Sequence, residues 1–478
     1  MSAAQSAPLY SSRVAGQGAT DDDRNFTLLA NVAPPAHTPI GGTDLAFWGT
    51  RAYAGSFGGF RIIDVADPSN PTVLGDAQCE GVQGDVAVWK NKFVVVSVDD
   101  PMTSPTCDGV GTDFQSTPDA WEGIRIFDVS DPRRPRYLTG VATDCGSHTH
   151  TLVPDRANDR VLIYVSSFNI FQDGPNCPAP TAAHPISHSK ISIVEVPLDN
   201  PAAAAVIREP SAMFDGGQPC TDTPYNPLVP SDQFFACNDT DDGVLSISTR
   251  GCHDIQVLLD EDLAACSALS EGQIWDISDR AAPRLINRLD NPNFEAWHNA
   301  VFTWDGKYVL FTDEAGIGTE PWCKSGDPDT IGANWIYRVK GRSTTPVGHF
   351  KSPRTIVSSR PEAMYCTAHN GTILPVRDRY LHVQAYYGGG TSLTDFSNPS
   401  RPREVAYFHR GDATPFDAPL TFSVSWSSYF YRGAVYANDL ARGVDVLRWR
   451  DPASRRAVRL DHDNPQTQER TLFRERRG

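Results

Sequence analysis

The chain has 478 residues, with 58 Asp and Glu against 42 Lys and Arg, for a formal net charge of −16. That excess argues against a nucleic-acid partner, whose phosphates attract basic surfaces. No stretch approaches the ~20 apolar residues of a membrane helix, so no membrane span is expected, and the length is ample for a large core.

Residues 1–25, MSAAQSAPLYSSRVAGQGATDDDRN, carry no apolar run of the signal-peptide kind and read as a flexible leader. Phe26 to Val32, FTLLANV, has the look of an outer β-strand. The first full unit follows: Asp44 to Trp48, Ala52 to Ser56, then GFRIIDVADPSNP from Gly59 to Pro71. This last stretch recurs as GIRIFDVSDPRRP from Gly123, GQIWDISDRAAP from Gly272 and GTSLTDFSNPSRP from Gly390. Degraded copies start at Lys190 (KISIVEV), Ala333 (ANWIYRV) and Gly443 (GVDVLRW). β-Branched residues after Gly make each copy a strand, and D-P-x-x-P is turn chemistry. A recurring unit of this size signals a repeat architecture. With two strands before each copy and one after, the units span about 85–141, 150–214, 253–289, 298–350, 369–408 and 421–449 after the first. The third carries an insertion, Gln172 to His188, and a long Pro-, Asp- and Gly-rich connection, Gly216 to Gly251, precedes the fourth. The expectation is an all-β fold, a seven-bladed β-propeller of four-stranded blades over residues 26–450. Its last unit lacks an outer strand, so Phe26 to Val32 is expected to close the ring and remove two edges. Residues 451–478, with seven Arg among polar residues, read as a disordered or surface-draped tail.

The four clear copies resemble the LVIVD-repeat β-propeller family of largely secreted prokaryotic proteins, with similarity over roughly residues 40–450. That resemblance implies architecture and no single activity.

The inner strands of the third to sixth units open on His150-Thr151, His253-Asp254, His298-Asn299 and His369-Asn370. A third of the 12 histidines thus share one repeat position, with His148 two residues before the first. Equivalent positions of a radial repeat converge on its axis, so these four are candidate metal ligands, near Asp44, Asp85 and Asp254. Imidazoles in that number fit Zn, Mn, Fe or Cu better than Ca²⁺. A bland reading stands beside it, in which the His side chains brace neighbouring blades. Asp313-Glu314 leaves the second strand of the fifth unit at the same face. His298, Asp313 and Glu314 are therefore the candidate catalytic groups, as acid, base or ligand orienter. Trp121, Phe168, Trp297, Trp322, Tyr386 and Tyr387 fall at the same rim, with Trp297 expected to shield the site. Asn238 to Gly243 resembles a Ca²⁺ loop without its closing Glu. No nucleophile elbow, P-loop, dinucleotide fingerprint or C-x-x-C is present.

These residues point to a metal-dependent lyase, hydrolase or oxidase acting on a small molecule or glycan. The alternative is a non-catalytic module binding a polymer or protein partner. A monomer is expected. Ten Cys in a loop-rich β chain favour an oxidising compartment, hence a secreted or periplasmic protein whose N-terminus is a mature end with an added Met. The expected pairs are Cys107–Cys145, Cys323–Cys366, Cys252–Cys266, and Cys177 with Cys220 or Cys237.

Overall fold

The recurring Gly-to-Pro stretch forms the third strand of an antiparallel quartet and the turn that follows it. In the computed structural model, Asp64, Asp128, Asp276 and Asp395 each accept the amide two residues on, at 2.9 to 3.0 Å. These Asx turns end the strand. The opening glycine is required where the outer strand crosses it. Gly59 has φ +125° and a Cβ there would lie 2.0 Å from the Ala77 carbonyl oxygen; for Gly443 the values are +74° and 2.2 Å from Val32.

The structure describes residues 22–38, 41–166, 190–210 and 251–469, apart from 270, 290, 292, 295, 316–321, 323–325, 354–365 and 411–423. The insertion Gln172 to His188, nearly all of the connection Gly216 to Gly251 with its Ca²⁺-like loop, Phe168, and Cys177, Cys220, Cys237 and Cys323 lie outside the described residues. Among the described residues the strands pair in successive antiparallel runs of four, the last two of them joined with Asp22–Arg24 in one nine-stranded sheet. The first is Gly42–Trp48, Arg51–Ser56, Gly59–Asp64 and Thr72–Gln78. The second is Gln83–Trp89, Phe93–Met102, Trp121–Asp128 and Arg136–Ala142. The third is Thr149–Asp155, Arg160–Ser166, Ser192–Pro197 and Ala205–Arg208. The fourth is Asp254–Leu258, Leu263–Ser267, Gly272–Asp276 and Arg284–Leu289. The fifth is Trp297–Phe302, Tyr308–Asp313, Asn334–Lys340 and Ser343–Phe350. The sixth is Asn370–Ile373, Leu381–Ala385, Thr391–Asp395 and Arg403–His409. The seventh takes Ser425–Tyr431, Ala434–Asp439 and Gly443–Trp449 from the end of the chain and Phe26–Val32 from its beginning.

First strands of successive quartets touch one another all the way round, and the seventh touches the first. The apolar core lies in layers between quartets. Ala46, Tyr53 and Ile62 pack on Val86, Val94 and Phe127, and Leu152, Ile163 and Val194 pack on Ala87, Val95 and Ile126. Burial of alternate faces against both neighbours explains why the motif strands read as near-continuous apolar runs. Phe26 pairs with Trp449 and Val32 with Val444, closing the ring as the sequence predicts.

Three expectations are corrected. Part of the presumed leader is ordered: Asp22–Arg24 pairs with the outer edge of the sixth quartet. The described part of the tail, residues 451–469, is not draped over the surface. Pro452–Arg456 forms a helical turn capped by Asp451, and the chain then crosses the end of the ring where the inner strands finish. His462 and Asp463 pair with Trp48 and Phe47, and Thr467 and Gln468 with Val257 and Leu258. Asn464 bonds the amide and carbonyl of Val88 at 2.8 and 3.0 Å, and Gln468 those of Phe302 at 3.1 and 2.8 Å. The Arg-rich composition concealed this because the side chains that dock are Asn, Thr and Gln, whose amides and hydroxyls match free strand ends.

The third correction is a disulfide. Cys107 bonds Cys79, and Cys252 bonds Cys266 as predicted. The outer strand ending at Gln78 delivers Cys79 to the face over which the Cys107 loop folds. Buried Arg125 ties the two loops, donating from Nε to the Pro105 carbonyl at 2.9 Å and from Nη1 to that of Glu80. Cys145 and Cys366 are also disulfide-bonded. Bridges of this kind are the chemistry of an oxidising compartment. Among the described residues no helix is long and apolar enough to cross a membrane.

Asp463, 6% exposed beside Phe47, is pushed by burial from the ordinary carboxylate range up to about 7. The folded chain thus keeps a proton that the unfolded chain releases, so this group's contribution to stability falls as pH rises from about 4 to 7. Asp463→Asn is expected to match the parent at pH 4 and to be more stable at pH 8, by up to about 4 kcal/mol. Denaturant unfolding at the two pH values measures it, and equal stability at pH 8 would contradict the burial cost.

Candidate metal centre

Four imidazoles form a row across the face at which the inner strands begin. Ring centroids are 4.3 Å apart for His148–His253, 4.0 Å for His253–His298 and 4.2 Å for His298–His369. Tyr387 continues it, 4.4 Å from His369. Backbone irregularity aims these rings. His253 and His369 precede their strands, and His298 sits at a register shift between Trp297 and Asn299. A bulge re-aims a side chain that a regular ladder would commit to the sheet face.

His150 shows the converse. It lies inside its ladder, paired with Val165, and its ring turns toward the second quartet. Its Nδ1 is 2.8 Å from Ser97 Oγ and 3.1 Å from Asp85 Oδ2. The row takes His148 in its place, so the expectation that His150 joins His253, His298 and His369 gives way to His148. Ser97 and Asp85 share one ring nitrogen of His150, which is not the relay geometry of a hydrolytic triad.

His253, His298 and Glu314 each offer one ligand atom, all within 4.8 Å of one another, and all three are buried. Glu314 Oε2 is 3.7 Å from His298 Nε2, and Oε1 is 3.8 Å from His369 Nε2. The Tyr387 hydroxyl donates to Oε1. His298 Nδ1 is buried with no hydrogen-bond partner among the described residues. His369 Nδ1 donates to the Trp426 carbonyl. His148 Nδ1 is 2.6 Å from Asp99 Oδ2. An acceptor on Nδ1 puts the ring proton there and the lone pair on Nε2, the arrangement of metal-bound histidines.

Burial decides the charge states. It pushes His369 down to about 3 and His253 and His298 well below the usual imidazole value, with neighbouring imidazoles adding to the shift of those two. Burial pushes the Glu314 carboxyl up to about 8, against the Tyr387 hydrogen bond and with the help of Asp313. The imidazoles are therefore neutral with lone pairs to offer, and Glu314 keeps its proton near neutral pH until a cation displaces it.

Asp313, expected beside Glu314 in catalysis, is a backbone brace. Its oxygens accept the amides of Ala296 and Gly332, each at 2.8 Å. Nor is Trp297 a shield; it stacks on Phe294 at 4.0 Å within the core between the fourth and fifth quartets. Tyr386 bonds Asn334 in the interior. Trp121 carries the Arg125 guanidinium over its ring, and Trp322 packs on Ala315 and Ile331.

A separate acidic group lies in the same ring. Asp44, Asp85 and Asp254 are buried, and the Tyr429 hydroxyl donates to Asp44. Burial first, and then Asp85, raises Asp44; burial raises Asp254 as well. For Asp85 burial acts the same way, but His150 outweighs it and the carboxyl stays low.

Radial antiparallel quartets, closed by a strand from the chain's own beginning, define a β-propeller. This one carries the LVIVD repeat: the family model for that repeat matches residues 43–78, the first quartet. No curated protein matches the chain. Among solved structures, hydrazine synthase of Kuenenia stuttgartiensis is similar at TM-score 0.49 and 11% identity, over 84% of this chain and 92% of that one. The WD40 β-propeller domain of Doa1 is similar at 0.48 and 8%, over 90% and 98%. Likeness at this level says nothing about the chemistry.

Proposed function

We propose that the protein is a metal-dependent enzyme acting on a small molecule at the mouth of the ring, with His253, His298 and Glu314 as ligands. The observation that carries this reading is the meeting of those three ligand atoms within 4.8 Å in a buried setting. Two imidazoles and a carboxylate are a donor set for Zn, Fe or Mn, and three protein ligands leave a position open for chemistry. The 3.7 Å separation of His298 Nε2 from Glu314 Oε2 supports it, since two donors to one ion lie roughly 3–4 Å apart. A cation held there would polarise a substrate oxygen or lower the pKa of a bound water. The reaction then falls among lyases, hydrolases and oxidases.

The ligands are only 3–4% exposed, which favours a small molecule or a single terminal sugar over a polymer surface. The tail crosses the other end of the ring, so entry is from the histidine face. The disulfides support a secreted or periplasmic setting.

Metal analysis of protein purified without chelator is expected to give bound transition metal. His298→Ala is expected to lose the His298-dependent metal and keep the parent's melting temperature within a few degrees. A chain without metal, or a His298→Ala variant that melts far lower and keeps all its metal, would favour the bracing role and the binding-module alternative.

A further inference from the structure

We propose that the row holds two metal ions, bridged by Glu314, with the second bound by His369 Nε2, Glu314 Oε1 and the Tyr387 phenol oxygen. This rests on the reading that His253, His298 and Glu314 hold the first.

Glu314 divides its oxygens between two histidines: Oε2 lies 3.7 Å from His298 Nε2, and Oε1 lies 3.8 Å from His369 Nε2. A direct hydrogen bond would bring such atoms to about 2.7–3.2 Å. Two donors each ~2.0–2.2 Å from a shared ion lie roughly 3–4 Å apart, depending on the angle between them. Both separations suit an intervening cation, and they lie on opposite oxygens of one carboxylate. That is the layout of a bridging ligand in a two-metal site.

The second position has its own supports. The Trp426 carbonyl accepts from His369 Nδ1 and cannot donate, which leaves the lone pair of the neutral ring on Nε2. Tyr387 holds φ +46°, a left-handed conformation that is strained for a tyrosine, and its hydroxyl donates to Glu314 Oε1, a contact that a shared ion would replace. Strain of that kind collects at functional sites. His369, Glu314 and Tyr387 are 2%, 4% and 6% exposed. Imidazole, carboxylate and phenol oxygen together suit Fe or Mn. The phenol would give its proton to solvent on binding.

Chelator-stripped full-length protein reconstituted separately with Zn²⁺, Mn²⁺ and Fe²⁺ is the test, read as equivalents of the best-bound metal per chain. Two equivalents are expected in the parent and one in His369→Ala, with the melting transition showing that the variant is folded. Tyr387→Phe is the second variant, and it should weaken the second equivalent at least tenfold while sparing the first. One equivalent in the parent, unchanged in both variants, would overturn the second site and leave the first intact. No equivalent in the parent would overturn both.

Discussion

Deleting residues 1–33 is expected to lower the melting temperature sharply, the largest loss from any short truncation. Phe26–Val32 is the fourth strand of the seventh quartet, and its removal leaves Gly443–Trp449 as an open edge. Phe26 is fully buried in a cluster with Leu374, Val435, Leu447 and Trp449. Phe26→Ala alone is expected to cost about 3–5 kcal/mol, the range for removing a buried aromatic. Denaturant unfolding measures it. A truncated chain that melts with the full chain would show that the ring closes without this strand.

The second large effect lies at the other terminus. Asn464 and Gln468 each bond both the amide and the carbonyl of an inner-strand residue, Val88 and Phe302. Truncating either side chain leaves buried backbone groups unpaired, at about 1–3 kcal/mol for each variant. The sites are on different strands, so the losses of Asn464→Ala and Gln468→Ala should add. Deleting 451–478 should cost more, because Leu460 and Ala453 also leave the core. Single variants within about 0.5 kcal/mol of the parent would place the tail among ordinary surface segments.

Most of the architecture was legible because the repeat encodes it locally. The motif Asp that ends each clear copy and the Gly that opens it are chemical necessities of the turn and the strand crossing. Closure by Phe26–Val32 followed from counting strands. The tail was not legible: its docking depends on a few uncharged polar side chains meeting strand ends hundreds of residues away. Cys79–Cys107 was missed for a similar reason, since the choice between Cys79 and Cys145 is made by loop paths and the Arg125 tie.

At the site, repeat position found His253, His298 and His369, and the shared face found Glu314. Repeat position failed for His150, because one residue inside a regular ladder points differently from one just ahead of it. His148 was visible as a near neighbour only. Asp313 and Glu314 are adjacent and chemically alike, and only the fold shows that the first serves two backbone amides while the second faces the histidines.

The central claim is that His253, His298 and Glu314 hold a metal. Anomalous diffraction from crystals of protein purified without chelator, collected at the Zn, Fe and Mn edges, tests it most directly. The account predicts a peak about 2.0–2.2 Å from one nitrogen each of His253 and His298 and from a Glu314 oxygen. A map without a peak there, with the imidazoles instead hydrogen-bonded to backbone carbonyls or water, would contradict it.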